Sequence, residues 1–200
     1  MRDLRNDFEA VTQSLTEVRV PSALRNAGLI LSGTLLAAIC AHIVLPLYFT
    51  PVPLTLQPFA VLLLGLLLSP RLAAATMAAY LAEGAMGLPV FAPGADLVGG
   101  MAHLLGPTGG YLFAYPAAAA LIAILWRRSR RGFASAVLSA AAGDLLILLF
   151  GAFWLAIWTH ASVPAGLAMA VVPFLPGDAL KVAAAAGTAV AFVRIRRHAS

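Results

Sequence analysis

Long apolar runs, each broken by a short stretch rich in proline, glycine or arginine, make up most of the chain. They occupy residues 28–48, 57–69, 71–88, 109–126, 133–158 and 176–193. Most approach the roughly 20 residues that a helix needs to cross a hydrocarbon core. The second is short and must borrow length from its flanks. No stretch alternates apolar and polar positions, which argues against an outer-membrane barrel. The pattern therefore predicts an all-α membrane protein of six transmembrane helices over residues 28–194, with an N-terminal segment 1–27 and a short basic tail 195–200. The first 25 residues carry acids and polar side chains rather than a cleavable signal pattern, so the first span is expected to be retained.

Composition places the chain far from soluble proteins, with 62% hydrophobic residues, 10% charged residues and a mean hydropathy of +0.93. The formal net charge is +5, and its placement says more than its size. The arginines are Arg2, Arg5, Arg19 and Arg25 before the first run, Arg71 between the second and third, Arg127, Arg128, Arg130 and Arg131 after the fourth, and Arg194, Arg196 and Arg197 after the last. Counting spans from a cytoplasmic N-terminus puts all of them on the cytoplasmic side, as the positive-inside rule requires, and both termini with them. These clusters cap apolar spans and lack interleaved aromatics, so topology explains them better than nucleic-acid binding. The connections on the other side, residues 49–56, 89–108 and 159–175, hold no lysine or arginine and many prolines and glycines. They are built to turn and to fold over a cavity. A single cysteine, Cys40, excludes an intramolecular disulfide and reads as a small packing residue.

Few ionisable residues interrupt the spans or their outer ends: Glu83, Asp96, Asp144, Asp178 and Lys181, the last being the only lysine. A charge in hydrocarbon is costly unless paired or wetted, so such residues mark a site by default. On a helix the i,i+3 spacing of Asp178 and Lys181 puts both on one face. They read either as a polar ligand site or as a neutralised pair that fixes helix packing. Glu83 lies at a similar depth. For Asp144, midway along the fifth run, a helix–helix hydrogen bond is as good an explanation as contact with a ligand. His42, His103, His160 and His198 are scattered singly, without zinc-site spacing. Neither a phosphate-binding loop nor a dinucleotide fingerprint is present, so the chain is not expected to hydrolyse ATP itself. Ser32, Ser135 and Ser139 lack a nearby base for intramembrane hydrolysis. Ala37 and Ala41 form a small-xxx-small pattern that lets another helix come close.

Four separated stretches, Pro51-Val52-Pro53-Leu54-Thr55-Leu56-Gln57, Gly87-Leu88-Pro89-Val90-Phe91-Ala92, Gly106-Pro107-Thr108-Gly109-Gly110-Tyr111 and Pro176-Gly177-Asp178-Ala179-Leu180-Lys181, carry a further signal by their order and spacing. Over about residues 28–194 the chain resembles the biotin-specific substrate-binding (S) component, BioY, of energy-coupling factor (ECF) transporters. The resemblance implies a multi-pass protein of the bacterial plasma membrane that captures biotin from outside. A transmembrane coupling subunit and a pair of cytoplasmic ATPases would deliver it inward. It assigns Asp178 and Lys181 to the biotin site and the helix surface around Ala37 and Ala41 to the coupling subunit. Glu83 and Tyr111 are further lining candidates, and Phe91 and Leu112 apolar ones. Biotin is then a transported ligand; no cofactor, metal or nucleic acid is implied. An S component for another small vitamin, or a membrane enzyme using Asp178 and Lys181 as acid and base, remain the alternatives.

Overall fold

A computed structural model of the chain describes residues 21–48, 50–93 and 99–198. Most of the expected segment 1–27, Asp96 and the end of the basic tail lie outside the described residues. The described helices are α1 (Ser22–Ala41), α2 (Gln57–Leu67), α3 (Pro70–Ala85), α4 (Met101–Leu104), α5 (Gly109–Arg128), α6 (Phe133–Trp158), α7 (Val163–Ala170) and α8 (Leu175–His198). Each apolar run is thus a helix, with ends shifted by a few residues. The expectation of a wholly helical chain needs one small amendment. An antiparallel ribbon joins β1 (Val44–Leu45) to β2 (Leu54–Thr55), with Val44 opposite Thr55 and Leu45 opposite Leu54.

Helices α1, α5 and α6 are long and apolar enough to cross a bilayer, and α7 and α8 qualify together as a pair bent by 54°. The chain is a multi-pass membrane protein. Helix α2 has only 11 residues and α3 only 16, less than a full span. For α2 the deficit has a visible remedy. Residues 60–66 are all buried, and the helix packs against α1, α5, α6 and α8. A short helix enclosed by protein leaves no polar backbone at its ends to the lipid.

The α5–α6 hairpin is fitted together by glycines. A side chain at Gly110 would collide with Trp154 and the Phe150 carbonyl, one at Gly151 with the Tyr111 ring, and one at Gly143 with Ile122. The glycine-rich stretch 106–110 therefore serves close helix approach, and Trp154 Nε1–H donates to the Gly106 carbonyl at 2.8 Å to fix it.

Helix α1 turns its small residues inward. Ala37 and Ala41 are both 0% exposed, because α1 turns them against α2 and α3. Gly33, one turn earlier on the same face, abuts Thr76 and Leu64. Within the isolated chain this small-residue stripe packs against α2 and α3. The outward face of α1 is instead Leu31, Leu35 and Ile39.

The two ends of the bundle differ. Arg25, Ser69, Arg127 and Arg196 border one shallow groove and Arg127, Arg131 and Arg196 another, so arginines gather at one end. The described residues of the connections, 42–48 and 50–56, 86–93 and 99–108, and 159–174, belong to the other end.

Candidate functional site

A cavity opens at the turn-rich end, enclosing about 530 Å³ of empty space with its mouth included. Its wall is drawn from the segment after β1 and the start of α2, from Ala92, His103 and Thr108 of the next connection, from α5 and α6, and from Phe174 and α8. Neither α1 nor α3 reaches it.

The first two turns of α8 supply the strongest polar feature. Asp178 and Lys181 are 4% and 7% exposed, and Lys181 Nζ donates to Asp178 Oδ1 at 2.7 Å. The bend before α8 is what brings them to the cavity: Phe174 occupies the break, lines the cavity, and accepts the Asp178 backbone N–H at 2.8 Å. A carboxylate in a first helical turn also gains from the helix dipole. Gly177 lies against the Leu54 side chain, so the helix start and the β2 strand close on one another.

Helix α5 contributes Tyr111, Leu112 and Tyr115, which follow one another along its inner face. Tyr111 donates its hydroxyl to the Ala170 carbonyl at 2.7 Å, tying α5 to the end of α7. Its ring lies near that of Phe174, with centroids 6.1 Å apart. Gln57, at the start of α2, is buried and donates to Tyr80 Oη at 2.8 Å; Tyr80 in turn donates to the Val90 carbonyl at 2.6 Å. This chain pins the 86–93 segment, and with it Ala92, over the cavity. His103 and Thr108 complete the mouth, with Thr108 Oγ1 and His103 Nε2 3.4 Å apart.

Of the residues singled out from sequence, Asp178, Lys181, Tyr111 and Leu112 come together in this wall. Phe91 stands just behind it. Its ring fills the space left by Gly84, meets Tyr80 edge-on at 5.4 Å and stacks on His103 at 5.1 Å. Glu83 is half-buried on α3 and does not line the cavity. Its depth along the helix was legible, but α3 does not reach the cavity.

Gln57, Tyr115 and Phe174 also line the cavity; in sequence Gln57 merely opens an apolar run and Tyr115 sits one turn from Tyr111, and neither pattern marks a site. Asp144 also lines the cavity, is 6% exposed, and its Oδ1 has no hydrogen-bond partner among the described residues. No group of three or more potential metal ligands occurs among the described residues. The cavity thus combines apolar and aromatic walls with a few fixed polar groups, the usual make-up of a small-molecule site.

The BioY family matches residues 11–198. A probable biotin transporter BioY from Pyrococcus horikoshii is 43% identical over 68% of this chain and 76% of its own length. The biotin transporter BioY of Thermotoga maritima is 38% identical over 76% of this chain and 86% of its own. Among solved structures, the S-component for biotin from an ECF-type ABC transporter superposes with a TM-score of 0.77 at 26% identity, over 88% of this chain and 92% of that one.

Proposed function

The chain belongs to the BioY family, and from that premise we propose that it captures biotin in the cavity at its turn-rich end, as the substrate-binding component of an ECF-type transporter. It is a transporter component and not an enzyme. What carries the assignment of the site is the buried Asp178–Lys181 pair in the cavity wall. Two charges taken out of water are worth their desolvation cost when they also serve a ligand. Biotin presents a cyclic urea, an apolar bicycle and a carboxylate. A carboxylate accepts a ureido N–H, and a lysine donates to a carbonyl or carboxylate. Tyr111 and Leu112, with Phe174, supply the apolar surface for the bicycle.

The chain crosses the plasma membrane six times, with the arginine end cytoplasmic and the cavity open to the outside. The arginine placement supports this arrangement, and the burial of short α2 supports counting it among the six. Binding alone gives no energy for accumulation inside. A transmembrane coupling subunit and an ATPase pair supply that energy, since this chain carries no phosphate-binding loop.

Equilibrium binding of a panel of vitamins to the purified protein in detergent tests the reading. Biotin should be the tightest ligand by a wide margin. Tighter binding of another vitamin, or no biotin binding, would overturn it.

A further inference from the structure

Asp144 has no task in the reading above. It is buried, its Oδ1 is unpartnered among the described residues, and it lines the same cavity as Asp178 and Lys181. Helices α6 and α8, which carry the acid and the pair, pack against each other, and Asp144 lies within electrostatic range of both partners. Its neighbours in the wall include Leu112, Ile147 and Leu148. A helix-packing role would leave Oδ1 bonded to another helix, and it is not. A buried polar atom without a partner destabilises the fold unless something else supplies one.

The chemistry of a cyclic urea supplies the missing partner. Such a ring carries two N–H donors flanking one carbonyl acceptor. Asp178 and Lys181 present an acceptor and a donor side by side, with Oδ1 and Nζ 2.7 Å apart. That arrangement matches one N–H and the adjacent carbonyl. The second N–H, on the far side of the carbonyl, is left over, and burying it without an acceptor would cost its full desolvation.

We propose that Asp144 accepts this second ureido N–H, so that Asp178, Lys181 and Asp144 together satisfy all three hydrogen-bonding groups of the ligand's urea. The inference rests on the cavity being the biotin site. It makes Asp144 a specificity-determining residue, which selects an unsubstituted cyclic urea.

The test is a binding cycle on the full chain in detergent. The ligands are biotin, the two N-methyl derivatives bearing the methyl at one or the other ureido nitrogen, and biotin methyl ester, which leaves the urea intact. The proteins are the parent, Asp144→Leu and Asp144→Asn. Asp144→Leu should weaken biotin on the order of tenfold or more. It should also remove the parent's discrimination against one N-methyl isomer, while the ratio of acid to ester stays as in the parent; this non-additivity marks a direct contact. Asp144→Asn, whose amide oxygen still accepts, should fall between parent and Leu, and it carries the test if Asp144→Leu does not fold. Parent-like affinity and ranking in the variants would overturn the inference, as would an equal loss for all four ligands, which marks a structural role. In either case biotin binding by the parent would leave the functional reading standing. Failure of the parent to bind biotin would remove that reading and this inference together.

Discussion

At the turn-rich end the charges point inward, and at the other end they point outward. Asp178, Lys181 and Asp144 are 4%, 7% and 6% exposed, whereas Arg71, Arg127, Arg128, Arg130 and Arg194 are all exposed. Backbone packing differs in the same sense. Gly109 and Gly110 are pressed against Trp154, while Gly28, near the arginine end of α1, has open space beside it. Charge at the inner positions is tolerable only where neighbours satisfy it, so those positions admit few substitutions. Charge at the outer positions is solvated and costs little. The contrast teaches that in this chain a lone ionisable residue within an apolar run carries more information than a cluster beyond one.

The comparison breaks most severely at the glycines. Gly110→Leu drives a side chain into Trp154 and the Phe150 backbone. It should cost more than the roughly 1–3 kcal/mol of ordinary overpacking, seen as loss of monodisperse protein on size exclusion. Gly28→Leu should leave the elution profile unchanged and slightly favour the helix. Ala37→Trp is next in size: with Ala37 wholly buried, the isolated variant should lose thermal stability by several degrees or fail to fold, whereas Ile39→Trp should behave like the parent. A normally folded, biotin-binding Ala37→Trp would show that the stripe is not packed internally.

Ligand binding sharpens the contrast further. Lys181→Ala removes a donor and strands Asp178, so biotin affinity should fall on the order of tenfold or more. Arg128→Gln, a charge removed at the other end, should leave titrations unaltered. Equal effects would show that the ends do not differ in function. Tyr111→Phe deletes the bond to the Ala170 carbonyl, worth about 1 kcal/mol, and should weaken binding by about fivefold through a looser α7. Least perturbing is a pair of single cysteines in a Cys40→Ala background. An impermeant reagent added to whole cells should label Ser162→Cys and spare Arg130→Cys. Labelling of both would refute the assigned sidedness.

Much of this was legible because membrane helices announce themselves by composition. The six runs and the one-face spacing of Asp178 and Lys181 both follow from local pattern. What was not legible required knowing which face meets which. Glu83 has the right depth, but no residue of α3 reaches the cavity. Ala37 and Ala41 have the spacing of a contact surface, and only the positions of α2 and α3 reveal that the contact is internal. Helix α7 was hidden in a connection whose prolines and glycines suggested turns alone. Gln57 and Tyr115 belong to residue types common in cores, and their role appears only through the hydrogen bonds and cavity around them.

The enclosure of α2 bears on how the protein is made. A helix of 11 residues is too short to be held in a bilayer by its own hydrophobicity. It must enter beside α3, from which only residues 68 and 69 separate it, and wait for later helices to shield its ends. One of those is α8, the last of the described helices in chain order and the carrier of Asp178 and Lys181. Closure of the cavity and shelter of α2 therefore finish together: a chain still short of α8 lacks one wall of the cavity and one of the helices that enclose α2.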